Sequence, residues 1–582
     1  QKQPEPTAHD ELHFKTGLRI LKFVPLPPSD TDVPNDPAGT LNWCLSINGR
    51  RFFGKGSNWM PIDNLLRLDR AHYRRLLTRA VDSNINLLRP WGAGLLETDD
   101  FYELCDELGI CVWQETLLAN GIYDRSKPEV WRETMHRSVC RLRNHPSLLA
   151  YCGGNEFDPD VPENKDVVDE IAAICNELDP TREFRRACPY GGDNHSYLVN
   201  WMGGQPYPFF TRDLSVAITE FSQASPPSME SLQKLIPIQE LEAFPPDLPD
   251  DIYRFDYTTW GRPVQRRESS FSILDAHLSG ITNIMFPPLS DAGKPETMEQ
   301  FVRYLQTAQG LLTKFGIDFW RSRWPRCTMT MSWVFNVIFP DSMSWSYVDY
   351  FGCPKDSYYD QKRAYERIHV GAVFDELFNA PGSPIRFKLF AVNETLQALN
   401  ELCVQVRLYD TALHLLASEE KNVNLRADDV RHCGFFVYDV PSDMQEQVLF
   451  LCVDLKDAQG SLISRSCYCP RIGVSQGRMP YLENGPYISD VACARTSLCG
   501  TLEPHENGLL CRITNTGSLP AFRVTLRSGT MDCDLRYSDN CIWLESGETR
   551  EIEIASFGEL PDTLTLNAWN ADDVVLGRKE SI

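Results

Sequence analysis

The sequence predicts a multidomain protein that is α/β in its first part and all-β afterwards, with a (β/α)8 TIM barrel followed by two β-sandwich domains. Its 582 residues exceed what a single hydrophobic core supports. Between residues 52 and 360, short apolar runs alternate with amphipathic helices, which is typical of parallel strands joined by helices. After residue 365 the helical pattern ends, and runs of alternating apolar and polar residues are separated by turn signals.

Four segments are expected along the chain. Residues 1–50 contain too few strand-like runs for a domain, and we interpret them as remnant strands of a preceding immunoglobulin-like sandwich or as a cap on the next domain. Residues 51–365 form the barrel, because strand–helix repeats at this rate suit a (β/α)8 barrel better than an open sheet. Residues 366–478 and 479–582 form the two sandwiches, divided at the Gly- and Pro-rich stretch GVSQGRMPYLENGPY.

The charge and hydropathy of the chain disfavour several classes of partner. The formal net charge of −23 repels phosphate backbones and anionic lipids, so we expect neither nucleic acid nor a membrane as a partner. No run of about 18 apolar residues occurs that could span a bilayer. The first residues, QKQPEPTAHDELHF, lack the pattern of a signal peptide.

The 19 cysteines are scattered over the chain, with no repeated Cys-x-x-Cys pair and no His-Glu-x-x-His motif. We interpret most of them as free buried thiols, which favours a reducing, cytoplasmic compartment. The tripeptides Asn194-His-Ser and Asn393-Glu-Thr are glycosylation acceptors and keep a secretory compartment as the alternative. We expect no metal and no organic cofactor, since no ligand motif for either is present.

Polar and aromatic residues stand where the predicted barrel strands end, and active sites of such barrels lie at the carboxyl ends of the strands. Carboxylates that face aromatic rings suit sugar chemistry, because pyranose faces stack on Trp while amides and Arg bind hydroxyls. Two carboxylates about 5–5.5 Å apart then suffice for double-displacement hydrolysis. The strand-end residues, in chain order, are Asn58, Trp59, Arg89, Trp91, Glu115, Asn155, Glu156, Glu220, Trp333 and Asn336.

The motifs that carry these residues resemble glycoside hydrolase family 2 in its β-mannosidase branch. The resemblance rests on GSNWMP, LRPWGAGLLETDDFYELCDELGICVWQE, RLRNHPSLLAYCGGNEF and ITEFSQASPPS. It implies a retaining mechanism in which Glu156 is the acid/base and Glu220 is the nucleophile. An ionised Glu220 nearby should keep Glu156 protonated until the nucleophile is glycosylated.

The resemblance also implies roles for the neighbouring residues. Asn155 would donate to the sugar 2-hydroxyl, and Arg89 would orient Glu220 or the sugar, although a buried salt bridge would suit Arg89 as well. Three Trp rings would wall the sugar subsite, or equally belong to the core, and four polar side chains complete the expected substrate-binding set. These residues are Trp59, Trp91, Trp333, Asn58, His195, Tyr197 and Asn336.

The expected substrate is a β-linked oligosaccharide or glycan that loses a terminal sugar. Strand 8 ends in the run Asn336 to Pro340, where the family usually has Asn-Asp and then Trp-Pro, so exo-β-glucosaminidase or endo-β-mannosidase specificity is the near alternative. A non-catalytic carbohydrate-binding or assembly subunit is the alternative from another class. Family members usually carry a sugar-binding jelly roll before the barrel, so an upstream polypeptide is an expected partner.

Overall fold

The structure, a computed structural model, describes most of the chain. The described residues are 16–26, 43–121, 128–196, 206–236, 238–242, 292–293, 295–341, 343–473, 486–506, 508–530 and 532–579. The predicted boundary between the sandwiches, at residues 478 and 479, lies outside them, and so does Tyr197.

The first described strands form a small antiparallel sheet. They are β1 (Leu21–Pro25), β2 (Trp43–Ile47) and β3 (Arg50–Phe52), in the order β1-β2-β3. The hairpin between β2 and β3 turns at Asn48 and Gly49, which both have positive φ, as a tight two-residue turn requires. The sequence boundary at residues 50 and 51 therefore falls inside β3.

Eight parallel strands form the central sheet, in the order β8-β7-β6-β5-β4-β11-β10-β9. They are β4 (Gly54–Trp59), β5 (Leu87–Pro90), β6 (Cys111–Glu115), β7 (Leu148–Cys152), β8 (Glu183–Arg185), β9 (Asp193–His195), β10 (Ala217–Glu220) and β11 (Met329–Ser332). Strands β8 and β9 share no ladder with each other, and each has three residues, so the curled sheet is open at this seam.

Helices connect these strands and cover the outside of the sheet. Asp69 begins the first helix by accepting a hydrogen bond from the backbone N–H of His72, and Gly109 ends the second with φ +74°. The helices are α1 (Arg70–Asp82), α2 (Asp99–Leu108), α3 (Pro128–Leu142), α4 (Pro162–Leu178), α5 (Pro206–Arg212), α6 (Met229–Leu235), α7 (Ile238–Glu242), α8 (Met298–Ser322) and α9 (Asp356–Ala364).

The small N-terminal sheet packs on the amino end of the barrel. Trp43 and Leu45 of β2 share a buried cluster with Leu87 and Met329, which are the first residues of β5 and β11. Parallel strands place all their amino ends on one side, so this sheet closes the side opposite the strand ends that carry the candidate site.

The remaining strands are antiparallel apart from the pairing of β13 with β21, and they form two groups of sheets. The first group has the sheets β12-β14-β17, β16-β15-β19-β20 and β13-β21-β18, and the second has β22-β23-β27-β25 and β26-β24-β28-β29. These strands are β12 (Ile368–Val373), β13 (Phe378–Asn379), β14 (Pro384–Asn393), β15 (Leu399–Tyr409), β16 (Leu415–Leu425), β17 (Asp429–Asp439), β18 (Gln447–Val448), β19 (Phe450–Lys456), β20 (Leu462–Tyr468), β21 (Arg471–Ile472), β22 (Leu498–His505), β23 (Gly508–Asn515), β24 (Ala521–Arg527), β25 (Leu535–Tyr537), β26 (Ile542–Leu544), β27 (Thr549–Ser556), β28 (Thr563–Ala568) and β29 (Ala571–Gly577).

The predicted fold class is confirmed: a TIM-barrel-type parallel sheet is followed by β-sandwich sheets. The barrel strands are buried on both faces, as in β7, where all five residues are buried. The sandwich strands alternate between exposed and buried residues, as at the start of β14. Among the described residues, no helix is long and apolar enough to cross a membrane.

A buried ionic cluster joins the barrel to the first sandwich group. Asp318 of α8 accepts hydrogen bonds from Lys314 and from Tyr468 Oη at 2.6 Å, and its other oxygen lies 2.7 Å from His369 Nε2. Burial alone would raise the pKa of Asp318, but Lys314 and His369 outweigh it and lower the pKa to about 2. The carboxylate is therefore ionised in the folded protein at every ordinary pH.

We predict that Asp318→Asn lowers the free energy of unfolding by about 3–5 kcal/mol, since it leaves Lys314 buried without its counter-ion. The pKa of Asp318 is lower in the folded than in the unfolded chain. The contribution of this carboxylate to the stability of the fold is therefore complete above about pH 4 and is lost as the pH falls towards 2. Urea unfolding of wild type and variant between pH 2 and 7 measures both effects. Asp572→Asn is the control, because that side chain is 94% exposed and should change stability by about 1 kcal/mol at most. Equal losses in the two variants would contradict the prediction.

Candidate active site

The predicted strand-end residues converge at the carboxyl ends of the barrel strands. Arg89 lies near the end of β5, Glu115 ends β6, and Glu220 ends β10. Asn155 and Glu156 follow β7 after two glycines. All the strands run parallel, so these side chains meet at one opening.

The guanidinium of Arg89 is the centre of this group. It is fully buried, and its Nη1 donates to Glu220 Oε1 at 2.6 Å and to Asn58 Oδ1 at 2.5 Å. Its Nη2 donates to Glu115 Oε1 and to Asn155 Oδ1, both at 2.6 Å. Arg89 thus forms the buried salt bridge and orients Glu220 at the same time, and its Nε, Nη1 and Nη2 all donate to protein oxygens instead of a sugar.

Glu115 holds Arg89 from the other side. Its Oε1 also accepts from Arg89 Nε at 3.0 Å, and its Oε2 accepts from the backbone N–H of Gly92 at 2.7 Å. Burial raises the pKa of Glu115, while Arg89 opposes this shift. Both carboxylate oxygens have partners inside the protein, so Glu115 acts on the site through Arg89.

His195 of β9 lies between the two predicted catalytic carboxylates. Its Nδ1 is 2.6 Å from Glu156 Oε1 and 3.4 Å from Glu220 Oε2. The ring nitrogen and one oxygen of each carboxylate all lie within 4.8 Å of one another. This upper bound is below the roughly 6.5–9.5 Å between the carboxyl groups of inverting glycosidases and close to the 5–5.5 Å of retaining ones.

The backbone that presents Glu156 is tightly constrained. A Cβ on Gly153 would stand 2.1 Å from the carbonyl oxygen of Arg186, and one on Gly154 would stand 2.4 Å from that of Leu118, so both positions need glycine. Glu156 itself has φ +47°, in the left-handed region that a non-glycine residue seldom adopts. The hydrogen bond from its N–H to the carbonyl of Cys188, at 2.8 Å, helps to hold this conformation.

The expectation that Glu156 is kept protonated is wrong for this structure. The hydrogen bond from His195 lowers the pKa of Glu156, and it outweighs burial, which raises that pKa. The reason is the contact with the ring of His195, whose Nδ1 is 2.6 Å from Glu156 Oε1. The side chain of Glu156 is 39% exposed and that of Glu220 only 5%, so the two carboxylates are clearly different in environment.

Three further predicted substrate-binding residues are buried, as Arg89 and Asn155 are, and bond to other parts of the barrel. Trp59 is fully buried, stacks on Phe335, and donates its indole N–H to Glu97 at 3.0 Å. Asn58 donates to the backbone of β10 and β11, and Asn336 bonds with the backbone of Met60. Side chains alternate along a strand, so one strand end supplies both inward and outward residues, and these three hold the barrel together.

Trp91 and Trp333 are partly exposed and contact each other edge to face, with ring centroids 5.3 Å apart. This pair is the part of the predicted aromatic wall that the structure brings together. Tyr197, the remaining predicted residue, lies outside the described part of the chain.

The sequence reasoning missed Asn120, which lies in the segment after β6. Its side chain accepts from Asn155 Nδ2 at 2.9 Å and donates to Glu156 Oε2 at 3.3 Å. It comes five residues after the end of its strand, and nothing in the local pattern distinguishes it from a loop residue.

Glu156, His195 and Glu220 are also the side chains of this site that could approach a metal ion together. A metal held by all three would occupy both carboxylates and leave neither for attack or proton transfer. The expectation of a reaction without a metal stays a prediction.

Comparison with curated proteins identifies β-mannosidases as relatives. The chain is 26% identical to β-mannosidase B of Thermothelomyces thermophilus over 403 residues, which are 62% of this chain and 44% of that protein. It is 35% identical to β-mannosidase of Bos taurus over 217 residues, 34% of this chain and 24% of that protein. The chain thus spans less than half the length of these relatives. No protein-family model matches it.

Comparison with solved structures gives the same fold. The β-D-mannosidase of Dictyoglomus thermophilum has a TM-score of 0.73 at 24% identity, covering 96% of this chain and 64% of that one. The exo-chitosanase of Amycolatopsis orientalis has a TM-score of 0.73 at 18% identity, covering 97% of this chain and 66% of that one. The predicted resemblance to the β-mannosidase branch of glycoside hydrolase family 2 is therefore confirmed: this chain is β-mannosidase-like in sequence and shares the fold of a solved β-mannosidase.

Proposed function

We propose that this chain forms the catalytic part of a retaining β-glycosidase that resembles β-mannosidases and releases a terminal sugar from β-linked oligosaccharides or glycans. The observation that carries the proposal is the meeting of Glu156 and Glu220 across His195, within 4.8 Å. The curated relatives, which are β-mannosidases, support the substrate class.

In the first step, Glu220 attacks the anomeric carbon. Arg89 holds Oε1 of Glu220 at 2.6 Å, while Oε2 faces His195 and Glu156, so Oε2 is the attacking atom. The bond between the anomeric carbon and the leaving oxygen breaks, and that oxygen takes a proton from Glu156. The product of this step is a glycosyl ester on Glu220.

In the second step, Glu156 acts as a base. It removes a proton from a water molecule, whose oxygen attacks the anomeric carbon and releases Glu220 as a carboxylate. Two inversions at the same carbon give net retention. The second N–H of Asn155 Nδ2 is the group that would reach the sugar 2-hydroxyl, because the first is donated to Asn120.

His195 is the proton partner of Glu156 in this proposal. One proton shared between Glu156 Oε1 and His195 Nδ1, 2.6 Å apart, gives the pair the same net charge whichever atom holds it. A ring that carries protons on both nitrogens could pass its Nδ1 proton to the carboxylate and become neutral, which prepares the acid without a proton from bulk water.

The leading proposal for the substrate is a β-mannoside. Exo-β-glucosaminidase and endo-β-mannosidase activities are the near alternatives. Trp91 and Trp333 would stack on the sugar ring in each case. Asp193, which is largely buried beside Cys188 and Thr219, is the nearest additional acid for an amino sugar. A panel of aryl β-mannoside, β-glucosaminide and β-glucoside substrates separates these specificities.

We also propose that the protein works in a reducing compartment, with the cytoplasm favoured. All 19 cysteines are free thiols, and most of them are buried. The upstream polypeptide that the resemblance implies stays a prediction.

We predict that Glu220→Gly lowers kcat for an aryl β-mannoside by at least about 10³-fold, because the nucleophile is lost. Added azide should restore part of the turnover by attacking the anomeric carbon from the vacated side. Glu559→Gly, in an exposed loop of the last sandwich, is the matched control and should keep full activity. Sugar binding without turnover by the wild type across the panel would contradict the proposal and favour a non-catalytic carbohydrate-binding subunit.

We predict that Glu156→Ala hydrolyses substrates with good leaving groups far better than those with poor ones. A dinitrophenolate needs no proton to leave, while an alcohol does, and the lost acid should cost about 10²–10⁴-fold for the latter. Steady-state rates with a series of aryl and alkyl glycosides measure this slope. Equal losses over the whole series would remove Glu156 from the acid role.

We predict that His195→Phe raises the pKa of Glu156, because burial remains while the hydrogen bond is lost. The high-pH limb of the kcat/KM profile should move to higher pH, because an acid with a higher pKa remains protonated up to a higher pH. Carbon-13 NMR titration of the Glu156 carboxyl group and a pH profile measure the two shifts. Asn120→Ala removes a weaker hydrogen bond, at 3.3 Å, and should shift both less. If the pKa of Glu156 is unchanged in His195→Phe, the proposed role of His195 as its proton partner is overturned.

A further inference from the structure

A second group of reactive side chains lies outside the proposed active site, where the barrel meets the last sandwich. Glu230 belongs to α6, Cys353 to the segment before α9, and Cys533 to the segment between β24 and β25. One carboxylate oxygen and the two sulfur atoms lie within 4.8 Å of one another.

We propose that Glu230, Cys353 and Cys533 bind one Zn²⁺ ion. Two sulfur ligands and one carboxylate oxygen are a ligand set that zinc accepts, with Zn–S bonds of about 2.3 Å and Zn–O bonds of about 2.0–2.2 Å. Ligand atoms at the corners of such a tetrahedron are about 3.5–3.8 Å apart. The three ligand atoms lie within 4.8 Å of one another, so the side chains would have to move by at most about 1 Å towards these separations, and a water molecule would supply the fourth ligand.

The charges around the cluster suit a divalent cation with thiolate ligands. Lys234 Nζ lies 2.9 Å from Glu230 Oε1 and 3.6 Å from Cys533 Sγ. Two thiolates and one carboxylate carry three negative charges, and Zn²⁺ with the Lys234 ammonium group balances them. Lys234 is 42% exposed, so the ion can enter from solvent beside it.

The ligands are held in place by the surrounding backbone. Arg75 and Arg79 of α1 both donate to the carbonyl oxygen of Cys533, and Asp349 Oδ1 accepts from the N–H of Cys353 at 2.9 Å. Glu230 Oε2 accepts from the N–H of Asp532 at 3.0 Å, and each carboxylate oxygen keeps a further lone pair for a metal. Preorganised ligands lose little entropy when the ion binds.

Binding would displace protons from the thiols. Zinc binds cysteine as the thiolate, so each thiol gives up its proton when the metal binds. Two thiols and one Zn²⁺ ion give the dithiolate complex and two released protons, with no change of oxidation state. Affinity for zinc should therefore rise with pH. The complex would connect the segment that follows the Glu220 strand to the last sandwich.

The test uses the full chain, reduced and then freed of reductant and of loose metal. We expect about one equivalent of zinc per chain by elemental mass spectrometry, and with Co²⁺ a sulfur-to-metal charge-transfer band in the near ultraviolet. The double variant with Cys353→Ser and Cys533→Ser should lose both signals. Cys499→Ser, which changes an exposed cysteine elsewhere, should keep them.

A further variant keeps the test decisive if the double variant folds poorly. Glu230→Gln retains both thiols, and it should weaken zinc binding at least about tenfold while circular dichroism shows an unchanged fold. Zinc content near zero in the reduced wild type would overturn the proposal, as would equal zinc in wild type and the double variant. A Co²⁺ complex without the thiolate band would do so as well.

Discussion

The buried guanidinium of Arg89 is the interaction on which the candidate site depends. It bonds to the carboxylates of Glu115 and Glu220 and to the amide oxygens of Asn58 and Asn155, and these four partners come from or follow four barrel strands other than that of Arg89. Buried charges are costly unless they are paired and hydrogen-bonded, so this arrangement is stable only when all its members are present. It fixes Glu220 so that one oxygen faces Arg89 and the other faces His195.

The two carboxylates are presented in opposite ways, and this difference suits their different tasks. Glu220 ends a buried strand, and its Oε1 is held at 2.6 Å by the guanidinium of Arg89. Glu156 lies on a constrained loop after two glycines and is much more exposed, with His195 Nδ1 at 2.6 Å from its Oε1. In the proposed mechanism, a buried nucleophile and a more exposed acid therefore share one opening.

Much of the fold and part of the site could be predicted from the sequence. The barrel strands that contain or precede Arg89, Glu156 and Glu220 have strong apolar runs, which predict buried strands. Parallel strands place their carboxyl ends on one side, which predicts that these three residues lie near one another. The burial of Trp59 could not be predicted, because it depends on which side of the strand end faces the barrel interior. The lowered pKa of Glu156 could not be predicted either, because His195 lies 39 residues further along the chain and contacts Glu156 only in the folded protein.

The central claim is that Glu220 forms a covalent bond to the sugar, and trapping that intermediate tests it most directly. An aryl 2-deoxy-2-fluoro-β-mannoside slows both steps, and the second step more, so the glycosyl-enzyme should accumulate. Peptide mass spectrometry should then place one fluorosugar per chain on Glu220. A label on another residue, or a first product of inverted configuration by NMR, would contradict the account.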